Sequence, residues 1–471
     1  MTGVLRISVL LIPIVSSTFH ARAEAVTHLT LDEAVATALE RNRTILVNKM
    51  EIDKARAGIT EAKAHFLPTL SISGGYTRSA AIPEIDFESP IFETRQVAVL
   101  DDFGDTIGYA YVDGIAGIRQ RRFKMGEENS YIGGFSIQQP IFTWGKIWNG
   151  YELARLNLRA VEEDYRKVRN DVVFSVEQAF YRILYLEELL KLTEESYEQV
   201  RRHVNVVQER YDAGLASRFD LLRARVQLVN MEPQILKVRD GLKTAMDGLK
   251  ILLAIGLDEE MVLHGELKYT PRDVSLQPAS EEALAQRPEL SALRLRKRMA
   301  EKALAIARAA NKPSMALAVN YSYQKPHNFK NEWGSSWYAT LGLQVPLLSG
   351  GATSGKVEHA RAQKRQAELS SDMFADVVEL EVRNALLEMD ETAQLFESQE
   401  ENVQQAEEAL RIAERRYETG LMTNLEVMDT QLALAQAKTN SLQALSNHLV
   451  ALCKLKRVIG GKLDTVIDNS E

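Results

Sequence analysis

The amino-acid sequence predicts a mainly α-helical protein that also contributes a few strands to a membrane β-structure. Three observations lead to this prediction. They are an internal duplication, two very long proline-free stretches with heptad-spaced apolar residues, and four short segments in which apolar and polar residues alternate. Each half of the chain is predicted to follow the same order: a helix, two short strands, a very long helix, a turn and a long returning helix.

The duplication is visible as two constant offsets between matching residues. Matches in the first part of each half are 245 residues apart, and matches after the strands are 206 residues apart. The difference, 245 − 206 = 39, means that the first half carries 39 additional residues between its strands. The matching pairs include Pro68 with Pro313, Tyr76 with Tyr321, Pro140 with Pro346 and Gly214 with Gly420.

The duplication also suggests a division of the chain into segments. We expect a first repeat at residues 24–256, a linker at 257–279, a second repeat at 280–461 and a C-terminal tail at 462–471. Residues 1–23 have the features of a signal peptide, in which Ala21-Arg22-Ala23 is the small-residue cleavage pattern. The sequence therefore predicts a protein that is exported from the cytoplasm.

Composition argues against several classes of function. The chain has 57 Lys and Arg against 65 Asp and Glu, a net charge of −8, and no concentrated basic stripe, so nucleic acid is an unexpected partner. A single cysteine, Cys453, excludes an intramolecular disulfide and an all-cysteine metal site. The eight histidines are scattered, and no nucleophile-and-base arrangement is visible. We therefore predict no catalytic residue, no cofactor and no metal site.

One stretch is similar to a nucleotide-binding loop. Residues 350–357 match the P-loop pattern until the last position, where Val357 replaces the Ser or Thr that binds Mg²⁺. No βαβ unit surrounds this stretch, so a nucleotide site is not expected.

The four alternating segments predict strands at residues 70–76, 135–141, 315–323 and 337–345. Alternation alone would fit the half-buried sheet of a soluble protein equally well. Tryptophans favour a membrane sheet, because Trp333 and Trp337 fall near one end of the strands and Trp144 and Trp148 near the other. These are the two interfacial levels at which membrane barrels carry aromatic residues. Residues 78–130, the loop that contains the insertion, are then expected to face the exterior side.

The helical stretches are too long for a globular core. No proline occurs from Trp144 to Arg210, and about 65 helical residues would extend roughly 100 Å. The second half repeats this pattern from residue 353 to residue 417. Four strands in lipid would leave two unpaired edges, so the sequence implies that several copies close one barrel, which the helices continue as a tube.

Over residues 29–461 the sequence resembles the TolC family of outer-membrane efflux and secretion channels. The resemblance implies a trimer, with four strands per chain in one 12-stranded β-barrel and a long α-helical coiled-coil tunnel across the periplasm. It also implies docking to a periplasmic adaptor and an inner-membrane pump. The segments that carry the resemblance are Leu31-Asp32-Glu33-Ala34, Phe66-Leu67-Pro68-Thr69-Leu70, Gln139-Pro140-Ile141-Phe142, Arg210-Tyr211-Asp212-Ala213-Gly214-Leu215 and Arg416-Tyr417-Glu418-Thr419-Gly420-Leu421.

The two helical turns are the predicted functional region. Ser217 and Thr423 are candidate N-caps, each followed three residues later by a carboxylate, Asp220 or Glu426, in a capping-box pattern. The resemblance adds a second role, in which Glu426 and Asp429 form acidic rings at the periplasmic entrance.

The resemblance also implies that Asp220 and Tyr417 hold this entrance closed. The arginine expected two residues after Gly420 is replaced by Met422, and Arg218 is a candidate substitute. The same turns form the expected adaptor-docking tips. These tips are Gly214, Leu215, Ala216 and Ser217 in the first repeat, and Gly420, Leu421, Met422 and Thr423 in the second.

The predicted function is therefore a passive, gated exit duct for small toxic compounds, driven by a pump through an adaptor. The closest alternative is the outer-membrane component of a one-step (type I) protein secretion system. A structural coiled coil without a pore and a periplasmic adaptor are the rivals from other classes. The first fits the alternating strands poorly, and the second would have one helical hairpin rather than two.

Overall fold

A computed structural model describes residues 27–461 of the chain. The predicted signal peptide and the predicted C-terminal tail lie outside the described residues. Within them, residues 27–55, 158–297 and 367–461 form one compact unit, and residues 56–157 and 298–366 form another. The two units are described separately below.

Sixteen helices and strands are present within residues 27–461. In chain order they are β1 (Thr27–Leu29), α1 (Leu31–Arg41), α2 (Arg43–Ala64), β2 (Thr69–Arg78), β3 (Glu84–Leu100), β4 (Thr106–Lys124), β5 (Asn129–Phe142), α3 (Lys146–Asp212), α4 (Arg218–Leu253), β6 (Met261–Leu263), α5 (Leu276–Gln286), α6 (Pro288–Ala309), β7 (Ser314–Lys325), β8 (Gly334–Gln344), α7 (Ala352–Glu418) and α8 (Asn424–Ile459). Helix α5 begins inside the stretch that the sequence assigns to a linker.

The first unit contains most of the two long helical hairpins, from residue 158 of α3 and from residue 367 of α7 onward. The helices α3 and α7 each span 67 residues, and the returning helices α4 and α8 each span 36 residues. None of the helices described between residues 27 and 461 combines the length and the apolar composition needed to cross a membrane. Their stability comes instead from packing along shared apolar faces.

The duplication is also present in the cores of this unit. One core joins α1, α3 and α4, and the other joins α5, α7 and α8. Their members match at the two offsets read from the sequence, 245 residues for the short helices and 206 residues for the long ones. The matching buried pairs are Ala34 with Ala279, Ala38 with Ala283, Val172 with Val378, Val176 with Val382, Phe180 with Leu386, Leu249 with Leu455 and Leu253 with Ile459.

The second unit contains a four-stranded antiparallel sheet in the order β2-β5-β7-β8. One row of directly paired residues on one face is entirely large and apolar: Ile72, Phe135, Tyr321 and Trp337. A neighbouring row on the opposite face is small and polar: Ser73, Gly134, Ser322 and Ser336. The apolar face is open in the single chain, since Ile72 is 84% exposed and Trp337 75% exposed.

Glycine is required at one position in this sheet. A Cβ at Gly134 would lie 2.2 Å from the backbone oxygen of Tyr321, so a larger residue would push β5 away from β7. Among the strands of residues 27–461, the outer strands β2 and β8 each have one partner and leave their other edges unpaired. The predicted fold class, mainly helical with a four-stranded amphipathic sheet, is confirmed.

The inserted segment differs from its prediction. Residues 78–130 were expected to form a loop, but they contain two long strands, β3 and β4, paired in an antiparallel hairpin. Two register shifts, one between Ile91 and Phe92 and one between Val99 and Leu100, interrupt the ladder. Such bulges break the period of two on which strand recognition depends. The turn is tight, because the Asp101 carboxylate accepts from the backbone N–H groups of Phe103 and Asp105.

Candidate functional site

The two helical turns have the same backbone geometry. Gly214 follows α3 with φ +73° and Gly420 follows α7 with φ +78°, which is the left-handed conformation that ends a helix. After each glycine the next N–H returns to the helix, from Leu215 to the Arg210 carbonyl at 2.7 Å and from Leu421 to the Arg416 carbonyl at 2.9 Å. The two repeats therefore reverse direction by the same Schellman-type turn.

Both returning helices begin with the predicted capping box. Ser217 and Asp220 exchange hydrogen bonds at the start of α4, and Thr423 and Glu426 do so at the start of α8. The Glu426 carboxylate accepts from the Thr423 backbone N–H at 2.7 Å and from the Thr423 hydroxyl at 2.8 Å. These two bonds, the backbone one first, hold the pKa of Glu426 below its usual value.

An arginine joins the two turns. The Arg210 guanidinium at the end of α3 donates to the Tyr417 carbonyl at 2.7 Å and the Glu418 carbonyl at 3.4 Å. It also lies over the Tyr417 ring, 4.7 Å from its centroid. These carbonyls belong to the last turn of α7, where the usual intrahelical donors are missing, and the Tyr417 carbonyl also accepts from the Gly420 N–H at 3.0 Å. Arg210 thus serves as a cationic cap for the helix of the other repeat.

A buried polar chain extends this contact. The His203 Nε2 lies 2.7 Å from the Asn424 Oδ1, and the Asn424 amide donates to the Asp220 carbonyl at 3.2 Å. The His203 ring lies 5.4 Å from the ring of Tyr417. Burial lowers the pKa of His203 and raises the pKa of Tyr417. Residues of α3, α4, α7 and α8 therefore meet in one buried contact near the turns.

The structure brings some of the predicted gate residues together. Tyr417 is buried in this contact, and the Asp220 backbone belongs to it, whereas the Asp220 carboxylate caps its own helix through Ser217. Arg218 is exposed and has no hydrogen bond or ion pair within residues 27–461 of the single chain. The cation that contacts Tyr417 is Arg210. This arginine belongs to one of the segments that carry the family resemblance, but no role was predicted for it.

The predicted ring and docking residues lie on the surface. Glu426 and Asp429 are both exposed, three residues apart on the same helix. Leu215 is 70% exposed and Leu421 79% exposed, so each turn presents a leucine to solvent. Ala216 and Met422 beside them are half-buried.

Aromatic residues mark both ends of the four-stranded sheet. At the end opposite the helices, Trp333 stacks on Tyr323 with centroids 5.0 Å apart and lies 5.9 Å from Tyr131. At the helical end, Trp144 contacts Phe142 with centroids 5.4 Å apart. Of the other two predicted tryptophans, one lies at the helical end and the other lies within the sheet, directly opposite Tyr321. Trp148 lies on the first turn of α3, and Trp337 is the fourth residue of β8.

The chain matches a known family over most of its length. The family model described as outer membrane efflux protein matches residues 34–254 and 279–461. This chain belongs to the outer membrane efflux protein family. The two matched stretches coincide with the two halves of the duplication, so both repeats belong to the family pattern.

Relatives and solved structures agree with this assignment. The chain is 21% identical to the probable efflux pump outer membrane protein TtgC of Pseudomonas putida, over 92% of this chain and 83% of the relative. It is 23% identical to the alkaline protease secretion protein AprF of Pseudomonas aeruginosa, over 71% of this chain and 70% of that protein. The Campylobacter jejuni CmeC outer membrane channel superimposes with a TM-score of 0.74 at 18% identity, over 94% of this chain and 87% of that chain.

At this general level the protein is an outer-membrane channel protein for efflux or export. None of these relatives is described as an enzyme. Within residues 27–461, no three His, Cys, Asp or Glu side chains are grouped so that they could hold a metal ion.

Proposed function

We propose that this protein is the outer-membrane channel of a tripartite efflux system. It acts as a passive, gated exit duct for small toxic compounds, which an inner-membrane pump drives through a periplasmic adaptor. The observation that carries the proposal is the amphipathic four-stranded sheet with two unpaired edges, joined to two hairpins of very long helices.

The unpaired edges favour a trimer. In lipid, each unsatisfied backbone group costs several kcal/mol, so β2 and β8 need partners from other copies. Three copies with four strands each give 12 strands, an even number within the range of outer-membrane barrels. The row containing Ile72 and Trp337 then faces the lipid, and the row containing Ser73 and Ser336 faces the lumen.

The helical hairpins supply the periplasmic tunnel. Helix α4 has an exposed apolar stripe at heptad spacing, which in a single chain has no partner. The stripe consists of Phe219, Leu222, Val226, Val229 and Leu236. We propose that this stripe packs against a neighbouring copy, so that the six hairpins of three chains surround one lumen.

The turns form the periplasmic entrance in this proposal. Glu426 and Asp429 of three copies create acidic rings that attract cations. Tyr417 and Asp220 belong to the gate, with Arg218 available to a neighbouring copy because it is exposed and unpaired within the described part of this one. The exposed leucines Leu215 and Leu421, with Gly214, Ala216, Ser217, Gly420, Met422 and Thr423, form the adaptor-docking tips.

The proposal is tested by the conductance of the purified protein in a planar bilayer. We expect a trimer that forms a steady cation-selective pore, which divalent cations added on the periplasmic side block. The double variant Glu426→Ala with Asp429→Ala should raise the blocking concentration at least about tenfold, because it removes six carboxylates from the three-fold entrance.

A matched control is available in the first repeat. Ala substitution of Asp240, an exposed carboxylate of α4 that lies away from the turn, removes negative charge without changing the predicted ring or the gate. If that single variant weakens the divalent block as strongly as the double variant, the ring assignment is wrong. A folded trimer without conductance, even after Tyr417→Ala opens the gate, would contradict the channel itself.

A second candidate function is export of proteins by a one-step secretion system. The similarity to AprF, a protein named for alkaline protease secretion, favours it. Deleting the gene in its native cell distinguishes the two. Loss of resistance to small toxic compounds supports efflux, and loss of an extracellular protein supports secretion.

A further inference from the structure

The β3–β4 hairpin is the largest feature that the proposed duct does not use. It leaves the sheet at the end opposite the helices, where the β2–β5 ladder continues into it. The Ser79 N–H donates to the Glu128 carbonyl and the Met125 N–H to the Pro83 carbonyl, both at 2.8 Å. Strand β3 has 17 residues, so the hairpin extends about 55 Å beyond the sheet at about 3.3 Å per residue.

The base of the hairpin is fixed, but its far half pairs with no further strand in the part of the chain that the structure describes. At the base, Phe123 contacts Phe329 of the β7–β8 connection with centroids 5.9 Å apart. Beyond the base, β3 and β4 form a two-stranded sheet of their own. An isolated two-stranded hairpin is at best marginally stable in water, so a stable one needs further contacts.

One face of the far half carries five large apolar or aromatic side chains that are open to solvent. This distal face consists of Phe92, Leu100, Tyr109, Tyr111 and Ile115, each at least 57% exposed. The bulge near Phe92 brings the odd-numbered residues of β4 to the same side as the even-numbered residues of β3. Thr94, Gln96 and Asp113 lie on the same face, where the Thr94 hydroxyl donates to the Asp113 carboxylate at 2.6 Å. Exposed aromatic and aliphatic side chains grouped around one satisfied polar pair mark an interaction surface.

The two strands carry opposite charge. Strand β3 has four carboxylates and one arginine, a net charge of −3, and β4 has four cations and one carboxylate, a net charge of +3. Near the base, Arg122 forms ion pairs with Glu84 and Asp86 across the hairpin. Arg119 and Arg121 have no ion pair within residues 27–461 and lie opposite Ser89 and Phe87. Glu84, Asp86 and Glu88 lie on the opposite face of the hairpin from these two arginines, so the free edges of β3 and β4 are complementary in net charge.

We propose that the β3–β4 hairpins of three copies pair edge to edge, β3 of one copy with β4 of the next, into a six-stranded cap outside the membrane. The cap rests on the proposed trimer, because a trimeric barrel holds three hairpins at one rim. Opposite charges on the two edges make this contact head-to-tail, which closes into a ring. The distal faces point inward, and their side chains fill the interior, because even eight strands leave room for little more than side chains. The cap thus covers the outer mouth of the duct.

Cross-linking between copies tests the edge pairing. Val97 of β3 and Ala110 of β4 lie directly opposite each other within one hairpin. In a symmetric cap, Val97 of one copy is therefore expected to lie beside Ala110 of the next copy. A Val97→Cys chain is co-expressed with a tagged Ala110→Cys chain, and the mixed trimers are treated with a short bis-maleimide. We expect a covalent dimer only in the mixed trimers. Trimers of either single variant are the matched controls, and wild-type trimers control for the buried Cys453.

The outcomes separate the cap from the duct. An intact trimer without cross-links in the mixed sample would contradict the cap but not the proposed duct. The distal face would then be available to a different partner. Cross-links within a single-variant trimer overturn the head-to-tail edge pairing. Absence of any trimer contradicts the proposed function instead.

A deletion supplies a second readout. Residues 84–124 are replaced by Asn-Gly, because the Met125 N–H already donates to the Pro83 carbonyl, which is the closing bond of a two-residue hairpin turn. We expect the trimer to persist and its conductance in the bilayer to rise severalfold when the outer mouth is uncovered. Unchanged conductance of the trimeric deletion variant would falsify the closure of the mouth.

Discussion

The two helical hairpins have the same length, turn and capping box, yet they present different surfaces. Helix α8 has 16 buried residues, whereas its counterpart α4 has five. The tyrosines of the shared turn motif diverge in the same way, since Tyr417 is 6% exposed and Tyr211 38% exposed. The second hairpin is therefore surrounded by its own chain, and the first offers its surface to something else.

The difference is sharpest at the first residue of each returning helix. Arg218 begins α4 and is exposed, while Asn424, 206 residues later, begins α8 and is buried against His203. His203 itself has Ala409 at the equivalent position of α7. The buried histidine–asparagine contact therefore has no equivalent between the matching positions of the other repeat. This difference fits a second hairpin that is packed within its own chain and a first hairpin that contacts a neighbouring copy.

The largest expected effect concerns the apolar stripe of α4. We expect Val226→Asp with Val229→Asp to abolish the trimer, because carboxylates would be buried between copies without partners. Since both residues are about 60% exposed in the single chain, the helix content of the chain should change little. Chemical cross-linking and circular dichroism measure the two quantities. Assembly of the double variant into normal trimers would place the copy-to-copy contact elsewhere.

The next effect separates the two tyrosines. Tyr417→Ala should lower the free energy of unfolding by about 3 kcal/mol, as is usual for a buried aromatic, while Tyr211→Ala should cost well under about 1 kcal/mol. Thermal unfolding of the two variants under the same conditions gives the comparison. Equal losses would mean that a neighbouring copy buries Tyr211, which would weaken the contrast between the hairpins.

The arginines of the same motif give a smaller effect. Arg210→Ala removes a charged donor from the last carbonyls of α7, a contact of about 1.5–3 kcal/mol, whereas Arg416 is exposed. We therefore expect Arg210→Ala, and not Arg416→Ala, to raise the resting conductance of the channel. Arg210→Lys should restore the resting state incompletely, because an ammonium cannot both stack on the ring and reach two carbonyls. Matching conductance of the two alanine variants would exclude Arg210 from the gate.

Periodicity and repeats predicted the fold to a large extent. Apolar residues at heptad spacing predicted the long helices, and the motif around Gly214 and Gly420 predicted both turns, because local backbone chemistry determines these features. The role of Arg210 was not predicted, because its partners are carbonyls of the other repeat, some 207 residues away. The β3–β4 strands were missed because bulges interrupt their alternation and because almost every side chain in them is exposed.

The smallest effect is a pH dependence of the buried contact near the turns. Burial lowers the pKa of His203 in the folded chain, while the Asn424 hydrogen bond and Glu414 oppose that change. The neutral imidazole therefore contributes stability that is fully present above the unfolded pKa of about 6.5, and this stability is lost as the pH falls from there through the folded pKa. We expect acidification from about pH 7.5 to about pH 5.5, a range that brackets the unfolded pKa, to lower the melting temperature of the wild type more than that of His203→Gln. Burial also lowers the pKa of His448, so the variant should keep part of the dependence. Identical curves for both proteins would show that folding leaves the pKa of His203 unchanged, and the contact that distinguishes the second hairpin would then be insensitive to protons.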